Sequence, residues 1–191
     1  MKRIAVLACT LLTVNVYAAN QDDIQKLIQF GKSHKDKAAL DLSHADLRNY
    51  SFTESKINLK GANLSHSNLS GMNLAGMDLS GANLSHSDLR KTKLTEANLS
   101  NANLSYAILS GAQMQNTNMT HANLSRAELI TANLQSANLS HANLKCSNLN
   151  QANLSNSNFT KANISGATLV NTITNEIGGY ADVVDKATNC G

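Results

Sequence analysis

The sequence predicts an all-β solenoid, and three observations lead to this prediction. A five-residue unit, best written Ala-Asn-Leu-Ser-Xaa, runs without a gap from Asn58 to Asn171. Leu occupies 19 of its 23 central positions, and Ala stands two residues before the centre in 14 of them. Five residues fit neither a helix nor one long strand: on a helix the leucines would circle the axis, and in a strand they would alternate between faces. The chain must therefore turn every five residues, with Leu and Ala inward and Asn, Ser and the fifth residue outward.

The inward positions form the predicted core. It is represented by the ladder Leu59, Leu64, Leu79, Leu84, Leu99, Leu104, Leu124, Leu139 and Leu144. Ile57, Met72 and Met77 are larger than the usual Ala, and methionine is flexible enough to fill an irregular core. Since a single coil buries too little to offset the ordering of its backbone, we expect stability to belong to the stacked array.

The runs Ala97-Asn98-Leu99-Ser100-Asn101 and Ala137-Asn138-Leu139-Ser140-His141 resemble those of the pentapeptide-repeat family. The resemblance implies a right-handed, four-sided β-helix with four units in each coil. It is also typical of bacterial proteins that bind partners rather than catalyse reactions.

The remaining segments complete the predicted domain organisation. Residues 1–18 have two basic residues, an apolar run and Val16-Tyr17-Ala18, so they are interpreted as a signal peptide cleaved after Ala18. Residues 19–39 are predicted to form an N-terminal helical cap and residues 40–171 the solenoid. Residues 172–191 are predicted to form a C-terminal cap or tail, which is also short and helical because Tyr180, Val183, Val184 and Ala187 have helical spacing. Units centred on Leu42, Leu47 and Phe52 stand two residues out of register with the main array, which places a slip between Thr53 and Asn58.

Cysteine content favours a disulfide. After cleavage only Cys146 and Cys190 remain, and an exported chain with two cysteines usually pairs them. The bridge would hold the tail over the open end of the solenoid. Two free thiols or an intermolecular bridge are the alternatives.

Composition and motifs restrict the function. Without residues 1–18 the chain has 14 basic and 13 acidic residues, which argues against electrostatic binding to nucleic acid or membrane. There is no Trp, and we expect no stacking platform for bases or sugars. No motif predicts a catalytic site, a cofactor or a metal site; His66 and His86, like His121 and His141, are twenty residues apart and are interpreted as solvated repeat positions rather than metal ligands.

The favoured function is an exported, periplasmic or secreted, non-catalytic protein-interaction or structural module, either a monomer or an end-to-end homodimer. A weak candidate contact surface consists of Ile108, Ile130 and Val170. The family resemblance supplies a second hypothesis, a DNA-mimicking inhibitor or protector of DNA gyrase. A third hypothesis is an ice- or surface-binding solenoid, based on the row Ser80, Ser100, Thr120, Ser140 and Thr160.

Overall fold

In a computed structural model, which describes residues 40–48 and 59–179, the chain forms a four-sided solenoid of parallel β-bridges. Within these ranges the regular structure consists of single bridges rather than helices or longer strands. Successive bridges join residues twenty apart, as in Asn83↔Asn103, Asn103↔Asn123 and Asn123↔Asn143. Because a turn follows every fifth residue, twenty residues make one coil with four sides.

We number the sides in chain order by their bridge residues. Side 1 contains Asp41, Asn63, Asn83, Asn103, Asn123, Asn143 and Asn163, and side 2 contains Asp46, Asn68, Asp88, Ile108, Glu128, Asn148 and Thr168. Side 3 contains Asn73, Lys93, Gln113, Asn133, Asn153 and Ile173, and side 4 contains Asp78, Asn98, Asn118, Asn138, Asn158 and Gly178. The seven levels of side 1 extend over about 29 Å at the usual strand spacing.

One unit, residues 97–101, shows why this sequence forms this fold, because all five of its backbone N–H groups have acceptors. Three bonds link coils, from Asn98 to the carbonyl of Met77, from Leu99 to that of Asn118 and from Asn101 to that of Thr120. A fourth closes the preceding turn, from Ala97 to the carbonyl of Leu94. The N–H of Ser100 donates to the Asn98 side chain at 3.2 Å. No main-chain donor of the unit is left unpaired, and three of the five bonds depend on the neighbouring coils.

The core is a narrow column of leucine and small residues. All nine leucines of the predicted ladder have 0% exposure, and Phe159 and Ile164 occupy equivalent buried positions. Met72 is buried and Met77 is partly buried against the same core, while Ile57 lies outside the described residues. Where Ser or Thr replaces Ala, the inward hydroxyl usually donates to a backbone carbonyl, as Ser87 does to Leu84 at 2.6 Å.

The register slip is visible at the first coil. Asp41 bridges Asn63 and Asp46 bridges Asn68, so both spacings are 22 residues where all later spacings are twenty. Two extra residues are therefore accommodated between these bridges, in agreement with the predicted slip. Its predicted position, between Thr53 and Asn58, lies outside the described part of the chain.

The bridge ladder does not end at Asn171, where the sequence analysis ended the solenoid. Ile173 bridges Asn153 and Gly178 bridges Asn158, so the first residues assigned to the tail complete two more sides. The sequence did not reveal this continuation because Thr174 and Gly179 stand where the central Leu would be. Ile177 nevertheless occupies the inward position two residues before such a centre, at 7% exposure. The predicted signal peptide, the predicted N-terminal helical cap and residues 180–191 lie outside the described residues.

Candidate functional site

The candidate site is the corner between sides 1 and 2, where ring side chains stack on consecutive coils. This corner is occupied by the fifth residue of each side-1 unit. We call His44, His66, His86, Tyr106 and Arg126 the ring corner. Backbone bonds hold them in register, since the N–H of His66 donates to the carbonyl of Ser85 and that of His86 to the carbonyl of Ser105.

The rings of this corner are parallel and closely spaced. Ring centroids lie 4.7 Å apart for His44–His66, 4.7 Å for His66–His86 and 4.8 Å for His86–Tyr106, with interplanar angles of 3–6°. The guanidinium of Arg126 lies 5.9 Å from the centroid of the Tyr106 ring, a cation–π contact. The spacing of the strands thus sets the spacing of the rings. At the same corner, the next two positions along the solenoid are Cys146 and Gly166.

Positive φ angles explain how these side chains reach their places. His44, His66, His86, Tyr106 and Arg126 all have φ between 58° and 62°, the left-handed region at the third position of each turn. The turn bond, for example from the N–H of Ala107 to the carbonyl of Leu104, is that of a β-turn whose third residue has positive φ. The corner side chains consequently project outward, and Tyr106 is 49% exposed.

The sequence analysis identified only part of this column. It paired His66 with His86 and missed His44, because the two-residue slip puts His44 twenty-two residues before His66. It also expected no stacking platform. The rings do stack, but on one another, so the rings between His44 and Tyr106 turn their faces to their neighbours and their edges outward.

The stacked histidines are not arranged as metal ligands. An imidazole lone pair lies in the ring plane, and the parallel planes of His44, His66 and His86 do not aim their lone pairs at a common point. No group of three or more His, Cys, Asp or Glu suited to a metal ion occurs within residues 40–48 and 59–179. The second predicted pair, His121 and His141, also stacks at 4.7 Å, at the corner between sides 4 and 1.

Burial and the neighbouring imidazoles of His44 and His86 lower the pKa of His66. Both causes disfavour a charge on the middle ring of the stack. The imidazole of His66, at the centre of the ring corner, therefore favours its neutral form.

Side 1, which lies between the two histidine columns, carries a ladder of side-chain amides. The Nδ2 atoms of Asn83, Asn103, Asn123 and Asn143 each donate to the Oδ1 atom of the residue one coil earlier, at 3.1–3.3 Å. The same Oδ1 atoms of Asn83, Asn103 and Asn123 accept the backbone N–H two residues later, as in an Asx turn. Asp41 accepts from Asn63 at the start of this ladder. The outward Asn positions thus stabilise the fold, a role that the sequence analysis did not assign.

Side 2 carries more charge than side 1. The guanidiniums of Arg48 and Arg90 form bidentate bonds with Asp46 and Asp88, with shortest N–O distances of 2.6 Å in each pair. The hydrogen bonds from these arginines lower the pKa of both carboxyls. Each pair lies within one turn, so its charge is compensated locally.

The predicted apolar surface is on side 2 but is not continuous. Ile108 is a bridge residue, whereas Ile130 and Val170 follow their central leucines, so they belong to a different column. Asn150 separates Ile130 from Val170, which is 61% exposed. The row Ser80, Ser100, Thr120, Ser140 and Thr160 does align on side 4, at the positions after the central core residues.

Cys146 is half-buried and lies next to Gly166 in the corner column. Cys190 lies outside the described residues, so the disulfide between the two cysteines stays a prediction.

No described helix is long and apolar enough to cross a membrane; this search covered residues 40–48 and 59–179.

Comparison with known sequences and structures gives one family. The sequence profile described as "Pentapeptide repeats (8 copies)" matches residues 57–96, 97–135 and 137–173. No curated protein matches the chain in sequence.

Solved structures of related repeat proteins are similar to the chain. A pentapeptide repeat protein from the Arabidopsis thaliana thylakoid lumen is 32% identical over 57% of this chain and 66% of that one, with a TM-score of 0.34. HetL, a pentapeptide repeat protein involved in heterocyst differentiation regulation in the cyanobacterium Nostoc, is 26% identical over 84% and 94%, with a TM-score of 0.31. QnrB1, a plasmid-mediated fluoroquinolone resistance protein, is 19% identical over 70% of each chain, with a TM-score of 0.35.

Proposed function

Because the chain belongs to the pentapeptide repeat family, we propose that it is an exported, non-catalytic module that binds a protein partner through its ring corner. The observation that carries this proposal is the ring corner itself. Sides 1 and 4 present mainly repeated amides and hydroxyls, whereas this corner concentrates imidazole, phenol and guanidinium groups in one column. Aromatic and arginine side chains are also the residue types most enriched at protein interfaces.

Rigidity supports a binding role. The corner residues are held by inter-coil backbone bonds, and their rings are stacked, so a partner would meet an ordered surface. Binding then loses little side-chain conformational entropy. Tyr106, at 49% exposure with Arg126 over its ring, is the natural anchor of such a contact.

A site-specific photocrosslinking experiment tests the role of the corner. A photoreactive phenylalanine derivative replaces Tyr106 in the full chain, and the matched control places it at Thr131, an exposed residue with φ 57° at the corner between sides 2 and 3. Both proteins are produced in the native host and irradiated. A discrete crosslinked protein from position 106 and none from position 131 supports the proposal; no crosslink, or identical products from both positions, contradicts it.

The proposal of export rests on residues 1–18 and on the two cysteines. Ten residues lie between Gly179 and Cys190, and the eleven steps from one Cα atom to the other span about 36 Å when extended, more than the length of the solenoid. A tail of this length is long enough to reach Cys146. Mass measurement of the protein from separated cell fractions, with thiol alkylation before and after reduction, tests both claims.

The expected product is a periplasmic or secreted chain that begins at Ala19 and has no alkylatable thiol until it is reduced. An uncleaved cytoplasmic chain in which all three thiols, Cys9, Cys146 and Cys190, are free contradicts export and makes gyrase binding the first alternative. A gyrase supercoiling assay then tests that alternative directly. Normal ice growth in the presence of the protein would dismiss the ice-binding hypothesis.

A further inference from the structure

Arg126 differs from the other arginines that the structure describes, because no carboxylate of residues 40–48 or 59–179 forms an ion pair with it. Arg48 and Arg90 each follow an aspartate by two residues and bind it at 2.6 Å. Arg126 instead follows the inward Leu124 by two residues, and its guanidinium contacts the Tyr106 ring at 5.9 Å. Its charge is therefore available to a group from outside the solenoid.

The contact with Tyr106 positions the guanidinium without using its hydrogen-bond donors. A cation–π contact engages the positive charge and leaves the five N–H donors of an arginine side chain available. In the part of the chain that the structure describes, no group accepts a hydrogen bond from the Arg126 side chain. The backbone of Arg126 is held as well, since its N–H donates to the carbonyl of Lys145 at 2.9 Å. Arg126 is thus a positioned cation with unused donors.

A second cation lies beside Arg126. Lys145 is exposed on side 1, one coil further along the solenoid, and forms no ion pair within the described ranges. Its N–H donates to Asn143 Oδ1 at 3.2 Å, while its carbonyl accepts from Arg126, so its backbone is fixed on both sides. Tyr106 adds a hydroxyl donor at the same corner. These three side chains can all interact favourably with an anion.

The acidic residues of the neighbouring sides do not cancel this charge. After its first level, side 1 has no acidic bridge residue. On side 2, Asp46 and Asp88 are bound by their own arginines. Glu128 is exposed, and no ion pair joins it to Arg126. Two cations, Arg126 and Lys145, against one carboxylate leave this part of the ring corner with a net positive charge.

We propose that the ring corner recognises an acidic side chain of its protein partner, which Arg126 binds through two N–H groups while Lys145 and the Tyr106 hydroxyl strengthen the attraction. This inference rests on the proposed function, because it names the chemistry of the same partner. The fork of a guanidinium matches a carboxylate in shape and charge. A nucleic acid or an anionic membrane would instead require many unpaired cations along the solenoid, whereas this corner has two.

Photocrosslinking of Arg126 variants tests this recognition. The photoreactive residue here replaces Ser125, whose carbonyl accepts the Tyr106 N–H, so that Tyr106 and Arg126 both stay in place. Arg126→Gln removes the charge, and Gln151 shows that glutamine fits a corner position, with φ of 61°. Lys161→Gln is the matched control, because Lys161 is an exposed cation at another corner with φ of 59°.

The yield of the crosslink in the native host, measured below saturation, is the readout. A hydrogen bond between charged groups changes affinity about ten- to a hundredfold, so the yield should fall about tenfold or more in Arg126→Gln. It should stay unchanged in Lys161→Gln. A yield that is unchanged in Arg126→Gln, or reduced equally in both variants, overturns the acidic contact but leaves the ring corner as a binding surface. No crosslink from either position 106 or position 125 of the wild type contradicts the proposed function, and this inference with it.

An exchange of charges identifies the group on the partner. Mass spectrometry of the crosslinked peptide should place an aspartate or glutamate of the partner close to the point of attachment. Arg126→Glu should abolish the crosslink, and replacing that acidic residue by arginine in the partner should restore it. A crosslinked segment without an acidic residue, or no recovery with the exchanged pair, refutes the recognition of a carboxylate.

Discussion

Replacing Asn103 by alanine tests whether the amide ladder of side 1 stabilises the solenoid. Asn103 takes part in three bonds: its Oδ1 accepts from the Ser105 N–H and from Asn123 Nδ2, and its own Nδ2 donates to Asn83 Oδ1. Asn133, the matched position on side 3, accepts only the Gln135 N–H at 3.1 Å. Both residues are half-buried. The two alanine variants therefore differ mainly by the two ladder bonds.

The difference in free energy of unfolding is estimated from those two bonds. A hydrogen bond contributes about 0.5–1.5 kcal/mol net, and partial exposure favours the lower half of this range. Asn103→Ala should thus be about 1–2 kcal/mol less stable than Asn133→Ala. For a domain of this size we expect a difference of roughly 3–7 °C in the melting temperature.

Equilibrium urea unfolding and calorimetry of the two variants measure this difference. Asn103→Asp and Asn133→Asp form a second pair, because aspartate keeps the acceptor of the turn but cannot donate to Asn83. Its carboxylate would also face the Asn83 oxygen, so Asn103→Asp should be the more destabilised of the two. Equal stabilities within about 0.5 kcal/mol in both pairs would refute the stabilising role of the ladder.

Three further predictions concern the core and the charged side. Leu104→Asp places a carboxylate at a position with 0% exposure and should abolish the cooperative unfolding transition seen by circular dichroism; a transition like that of the wild type would contradict the inward assignment. Ser147→Ala should stabilise the protein by about 1 kcal/mol in urea unfolding, because the buried Ser147 hydroxyl has no partner. Ser87→Ala is the control, because it removes the bond to the Leu84 carbonyl and should not stabilise the protein. Equal changes in stability in the two alanine variants would refute the claim that only the Ser147 hydroxyl is unsatisfied. The hydrogen bond from Arg90 lowers the pKa of Asp88, so this carboxylate adds to the free energy of unfolding above its unfolded pKa of about 3.9, and the addition is lost as the pH falls further. In Asp88→Asn the free energy of unfolding should therefore depend less on pH between pH 5 and pH 2. The same pH dependence as in the wild type would contradict this.

The period of five predicted the solenoid because the same steric restriction acts on the inward residues of every coil. Each inward position, such as Leu104 or Ala102, faces the same narrow lumen, so its residue type repeats. The shift of two residues was detectable for the same reason, since it displaces the whole pattern at once. Residues 172–178 were misassigned because Thr174 replaces the central Leu while the backbone ladder continues to Gly178.

Contacts between coils were harder to predict from the sequence. The amide ladder needs both the twenty-residue spacing and the knowledge that Asn103 lies directly beside Asn83 and Asn123. The ring corner needs the slip as well, because only a spacing of 22 puts His44 beside His66. A search for ring residues at twenty-residue spacing, with two added across the slip, would have identified the histidines and Tyr106 together.

The corner positions are where this fold can vary without losing its backbone bonds. Their φ angles are positive, which restricts most residues, yet His, Tyr, Arg, Thr and Cys all occur there. From His44 to Asn156, each described corner N–H donates to a carbonyl of the next coil, as from Arg126 to Lys145, whatever the side chain. The backbone of the corner residue is therefore held by bonds between coils, while its side chain points outward. The Leu, Ala and Asn positions are restricted by the lumen and by the amide bonds, so differences in partner recognition are expected mainly at the corners.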